Sequence, residues 1–166
     1  MTWETYKYGK FIAKIKGDDK KGTCTSFFTF WKGDSTEEWS YYGWSELDVE
    51  LVPSDRDGTF STNIIWSYMQ QNHDTLDLSI ADPMDNWHTY EMQWTPDYVK
   101  WMYDGEIVRT VANDASVEWL QDREQHLMMN FWIPAWENWN RDFNPVDFPW
   151  YARYDFVEVW DYVPPE

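Results

Sequence analysis

The chain has 166 residues, 43% of them hydrophobic and 26% charged, a composition that fits one globular domain and excludes a disordered segment. Its formal net charge of −17 argues against nucleic acid or an anionic membrane as partner, since both need basic patches, and disfavours sulfated or uronic polysaccharides. No apolar run approaches the roughly 18 residues of a membrane helix. Nothing at the start resembles a signal peptide, and a lone Cys24 permits neither an intramolecular disulfide nor a metal cluster.

Along the chain, apolar runs are short or alternating, and turn signals recur at Lys16-Gly17-Asp18-Asp19, Lys32-Gly33-Asp34-Ser35, Pro53-Ser54-Asp55-Arg56-Asp57-Gly58 and Asp82-Pro83. Many strands with such punctuation imply a β-sandwich. Trp44-Ser45-Glu46-Leu47-Asp48-Val49-Glu50 reads as a strand with Trp44, Glu46, Asp48 and Glu50 on one face and Leu47, Val49 and Leu51 on the other. The clearest hairpin pairs Val99–Tyr103 with Glu106–Val111 through Asp104-Gly105, a pair suited to a type I′ turn. A short helical turn is expected at Val117–Asp122. With no repeat and no linker, residues 1–166 read as one domain.

The acid strand carries the functional argument. Acids on one strand face repel one another and add nothing to a core, so the pattern suits chemistry better than stability. The plain alternative is a solvent-facing strand in an acidic chain. Residues four apart on a strand have Cα atoms about 13 Å apart, at about 3.3 Å per residue. Two glutamates leaning together would bring their carboxyl groups towards the roughly 5–5.5 Å used by retaining glycosidases. Asp48, between them, would hydrogen-bond one and raise the proton affinity of the other through like-charge coupling. Trp44 would offer a flat apolar face to a sugar ring.

At Glu46-Leu47-Asp48-Val49-Glu50 the chain resembles the glycoside hydrolases of family 16, and the form without an extra residue is similar to the lichenase and xyloglucan branches. Further likenesses follow in the family's order: Tyr6-Lys7-Tyr8-Gly9-Lys10-Phe11, Ser26-Phe27-Phe28-Thr29-Phe30, Phe60-Ser61-Thr62-Asn63-Ile64-Ile65, Trp87-His88-Thr89-Tyr90, Trp94 to Trp101, Tyr103-Asp104-Gly105, Met128-Met129-Asn130-Phe131-Trp132 and Tyr154-Asp155-Phe156-Val157.

The resemblance implies an all-β jelly-roll sandwich (concanavalin A-like) of two antiparallel sheets with a concave cleft. It implies an extracellular, monomeric retaining endo-β-glucanase acting on a neutral β-glucan, mixed-linkage β-1,3-1,4-glucan first. Laminarin and xyloglucan are the alternative substrates, and a non-catalytic glycan-binding jelly roll is the alternative from another class. Glu46 would be the nucleophile, Glu50 the acid/base and Asp48 their assistant, with no cofactor required. The lichenase branch has further strands before the Tyr-Gly segment, so the resemblance implies a sandwich lacking a portion at its ends.

Other residues take their roles from this likeness. Asn63 matches a cleft asparagine, although an asparagine near a strand also satisfies turn backbone. Asn130 and Trp132, two apart, would share a face and offer a hydrogen bond and a stacking plane, with core packing the alternative for Trp132. Trp136 and Trp139 lie in an expected loop, where exposed aromatics favour binding. Tyr6, Tyr8, Phe28 and Phe30 either line the cleft or fill the sandwich, and alternation does not decide. His73, His88 and His126 lack metal-ligand spacing. Asp155 matches a position that contributes to a structural calcium site in lichenases.

Overall fold

Alternation builds this structure strand by strand. In β2 (Gly9–Lys16) Phe11, Ala13 and Ile15 are fully buried, and Lys10, Ile12, Lys14 and Lys16, alternating with them, turn outward. In β4 (Trp44–Leu51) Leu47, Val49 and Leu51 are fully buried. Each such side chain contributes about 1.5–3 kcal/mol on leaving water, which fixes the register: a slip of one residue would turn the acids of β4 into the core.

The computed structural model describes residues 1–32, 44–53, 59–67, 72–79, 84–121, 123–134 and 149–165. The remaining strands are β1 (Thr5–Tyr6), β3 (Cys24–Lys32), β5 (Thr59–Ser67), β6 (Asn72–Ser79), β7 (His88–Trp94), β8 (Tyr98–Tyr103), β9 (Glu106–Ala112), β10 (Gln125–Trp132) and β11 (Arg153–Trp160). They form a six-stranded sheet in the order β1-β10-β3-β4-β5-β6 and a five-stranded sheet in the order β11-β2-β7-β8-β9. Pairing is antiparallel throughout, so the expected jelly-roll sandwich of two antiparallel sheets is what the chain forms.

The expected turn chemistry holds at Asp104-Gly105, where φ is 47° and 86°, the left-handed values that a type I′ turn demands. Three features differ from expectation. The Tyr6–Phe11 segment is two strands: Tyr8 has φ 67° and Gly9 φ 135°, and a Cβ on Gly9 would lie 2.9 Å from the Trp160 carbonyl oxygen. Glycine there lets β2 and β11 approach. The helix, α1 (Ala115–Leu120), begins earlier because the Asp114 carboxylate caps it, accepting from the Ser116 and Val117 amides. The polar strand β6 lacks the apolar run that announces the others.

Side chains tie the sheets together across the core. The Trp101 indole on β8 donates to the Asp48 backbone carbonyl at 2.8 Å. The Arg109 guanidinium on β9 donates to the Thr62 carbonyl and hydroxyl, both at 2.9 Å, and to the Asp74 carbonyl at 3.1 Å. The Tyr154 hydroxyl on β11 donates to the Ser26 carbonyl at 2.8 Å and lies 3.1 Å from that of Asn130. The acid strand thus rests on β8 and its neighbours on β9 and β11.

Candidate active site

The register decides which side chains share the face of the six-stranded sheet turned away from the core. Glu50 lies opposite Ser26 on β3 and Ser61 on β5; Asp48 lies opposite Phe28 and Asn63; Glu46 lies opposite Phe30 and Ile65. The rows extend to Asn130 and Met128 on β10, and to Asp77 and Thr75 on β6. Glu46, Asp48, Glu50, Trp44, Asn63, Asn130, Trp132 and Phe28 therefore fall on one face.

Tyr6 falls outside it. Its backbone pairs with Gln125, whose buried side chain accepts from Thr29 and donates to Ser45 behind the sheet. Tyr6 packs edge-on against Phe11 at 5.7 Å. The expectation that it binds substrate is corrected: two residues of strand set Thr5, not Tyr6, on the acid face. Trp136 and Trp139 lie outside the described residues.

The carboxylates differ in setting. Asp48 is 3% exposed, whereas Glu46 and Glu50 keep part of their surface open while lying low among protein. Burial pushes Glu46 up to about 7 and Glu50 up to about 8, from an ordinary 4.5. For Glu50 the next causes are repulsion from Glu46 and, after the Cys24 hydrogen bond that opposes it, from Asp77. Asp48 is raised well above its usual range by burial, then by the charges of Glu46 and Glu50. It shares a hydrogen bond with Glu46 that raises Asp48 and lowers Glu46, so Asp48 is the donor and Glu46 carries the charge. The expected like-charge coupling between Asp48 and Glu50 is present and is felt at Asp48, while Glu46 and Asp77 add to it at Glu50.

Neighbouring polar groups hold this arrangement. The Thr75 hydroxyl donates to Asn63 Oδ1 at 2.9 Å, which leaves the Asn63 amide hydrogens for Asp48. The buried Trp44 indole N–H lacks a hydrogen bond of good geometry, yet lies near enough to Glu46 to favour its carboxylate. On the other flank Trp132 Nε1 donates to Ser26 Oγ at 3.1 Å, Ser26 Oγ lies 3.2 Å from Cys24 Sγ, and the Cys24 thiol donates to Glu50 Oε1 at 3.8 Å. Burial raises the Cys24 thiol well above its usual range, so it stays protonated. The structure thus makes the lone Cys24 a donor to Glu50. Its parity with Ser26 and Phe28 was the available signal.

Phe28 is only 7% exposed and meets Phe30 edge-on at 6.4 Å, so it supports the face more than it offers a plane. Trp44 and Phe30, tilted at 6.1 Å, are less covered. Asp155 is the extra residue of a bulge in β11 on the other sheet, and Lys14 holds its carboxylate at 3.0 Å. Among the described residues no three His, Cys, Asp or Glu side chains gather as a metal site.

A two-sheet sandwich with paired glutamates and a shielded aspartate on one strand defines a glycoside hydrolase scaffold. Residues 1–152 match Glycosyl hydrolases family 16, and the chain belongs to that family. It is 31% identical over 163 residues to a β-glucanase of Brevibacillus brevis, covering 94% of this chain and 57% of that protein. It is 30% identical over 165 residues to a β-glucanase of Fibrobacter succinogenes, covering 98% and 46%. The chain thus spans about half the length of these curated relatives. Its fold superposes on a Bacillus licheniformis β-glucanase with a TM-score of 0.76 at 24% identity, over 97% of this chain and 69% of the other.

Proposed function

We propose that this chain hydrolyses internal bonds of a neutral β-glucan with retention at the anomeric carbon, mixed-linkage β-1,3-1,4-glucan being the first substrate. The observation that carries this reading is geometric: β4 sets Glu46 and Glu50 on one face with the buried Asp48 between them, hydrogen-bonded to Glu46. The two curated relatives described above are β-glucanases, and the unbulged acid strand favours mixed linkages.

In the proposed reaction the Glu46 carboxylate bonds to the anomeric carbon as the glycosidic bond breaks, and Glu50 gives its proton to the departing oxygen. Glu50 then takes a proton from water, whose oxygen attacks the same carbon and releases Glu46. Asp48 donates to Glu46 and limits its charge until the sugar is in place. Trp44 and Phe30 offer ring faces, and Asn130 a carboxamide in the row of Glu50, two strands away across Ser26. No step uses a cofactor. The polymeric nature of the proposed substrate supports action outside the cell.

Reducing-sugar release from barley β-glucan tests the reading. Release by the wild type and none by Glu46→Gln supports it; binding without release would favour a glycan-binding jelly roll.

A further inference from the structure

The outward face of the five-stranded sheet carries an open groove of about 510 Å³, whose lining includes Lys10, Gln93, Tyr98, Glu158, Trp160 and Tyr162. The register places Trp160, Lys10 and Gln93 side by side across β11, β2 and β7, and Glu158 one row along. This face lies across the core from the acid strand, so nothing bound here reaches Glu46 or Glu50.

Trp160 is exposed, Tyr98 and Tyr162 are half-buried, and all three rings are held. Trp160 is 60% exposed, a large cost for an indole left in water. Its N–H donates to Glu158 Oε2 at 3.1 Å, which fixes the ring. The Tyr98 hydroxyl donates to Gln93 Oε1 at 3.3 Å, and Lys100 lies 3.9 Å from the centre of the Tyr98 ring. Tyr162 meets Tyr8 edge-on at 5.7 Å, which steadies the wall. Rings already fixed lose little entropy on binding.

The lining also selects a chemical class. An anionic ligand needs free cations, but Lys10 is paired with Glu91 at 3.1 Å and Lys100 is stacked on Tyr98. The net charge of −17 opposes it further. Carboxamide, carboxylate and ammonium groups between ring faces match the hydroxyls and C–H faces of a neutral sugar.

From this geometry we infer that the Trp160 groove is a second binding site for the neutral β-glucan chain, on the sheet opposite the acid strand. It holds polymer without cleaving it and raises the local concentration of substrate at the acid face. The choice of glucan rests on the proposed function above; the groove itself does not.

The test is native electrophoresis through gels with and without soluble mixed-linkage glucan, using Glu46→Gln to prevent digestion. Glucan should retard this protein, and adding Trp160→Ala should weaken the apparent affinity at least twofold while leaving mobility in the plain gel unchanged. In the otherwise wild-type chain, Trp160→Ala should lower kcat/KM on polymer severalfold and leave cleavage of a short oligosaccharide as it was. Equal retardation with and without Trp160 overturns the inference, and Gln93→Ala replaces Trp160→Ala if the latter migrates as an unfolded chain. Retardation that depends on Trp160 in a chain that releases no reducing sugar would uphold the groove and sink the hydrolase reading. Cleavage with retardation indifferent to Trp160 would do the reverse, and neither binding nor cleavage would end both.

Discussion

The indole N–H of Trp101 donates to the backbone carbonyl of Asp48 at 2.8 Å, so a fully buried ring of the opposite sheet holds the acid strand at its central carboxylate. Arg109 lies 4.8 Å from the centre of that ring and is 8% exposed. Its ion pair with Asp74, at 2.6 Å, and its bonds to Thr62 and the Asp74 carbonyl brace β5 and β6 behind Asn63 and Thr75. Arg109→Ala should cost about 2–4 kcal/mol in urea unfolding, because buried acceptors lose charged donors and a cavity remains. Arg109→Lys should recover little, since an ammonium cannot fork to these acceptors. A loss under 1 kcal/mol for Arg109→Ala would show that the brace carries no load.

The roles of the glutamates separate by leaving group. Glu46→Gln should abolish cleavage of every substrate. Glu50→Gln should be nearly inactive on polysaccharide yet retain glycosylation of an aryl glucoside whose leaving group needs no proton. Equal losses on both substrates would remove Glu50 as the acid.

Stability should fall with pH over a defined window. Unfolded, these glutamates ionise near 4.5; folded, they hold protons to about 7 and about 8. Between those values the folded state binds more protons than the unfolded, so stability is lost as pH rises from about 4.5 to about 8. Each unit of upward shift is about 1.4 kcal/mol. Glu50→Gln should therefore match the wild type at pH 4 and exceed it by about 1–3 kcal/mol at pH 9. Denaturant titrations at the two pH values check this, and a variant weaker than wild type at pH 9 would contradict it.

Cys24 should be visible in the alkaline limb of the activity profile. Its thiol favours ionised Glu50 by donating to it. Removing that donor raises the proton affinity of Glu50, so Cys24→Ala should move the alkaline limb upward by a few tenths of a pH unit. Cys24→Ser should move it less. A limb that stays or falls in Cys24→Ala would exclude the thiol from setting Glu50.

The elements legible in the sequence are those whose physics is local. Leu47, Val49 and Leu51 alternate with acids, which fixes both faces of β4, and Asp104-Gly105 states its own turn. What depends on cross-strand register was hidden. Asp77 reaches Glu50 only because β6 pairs with β5, and β6 carries too little apolar character to announce itself. Tyr6 lies in a strand of two residues, too short for alternation to assign its face. The entry of Arg109 into the core also depends on register. A bulge between Trp101 and Met102 in the β8–β9 pairing leaves Val108 unopposed, so Val108 packs on the core and Arg109 beside it enters too.

The central claim is a double displacement at Glu46, and early-time proton NMR of barley β-glucan digestion tests it most directly. Two displacements at one carbon return the original configuration, so the new reducing ends should appear first as the β anomer, with α growing only through mutarotation. An α signal from the first spectra would mean a single displacement by water and would contradict the assignment of Glu46 as nucleophile.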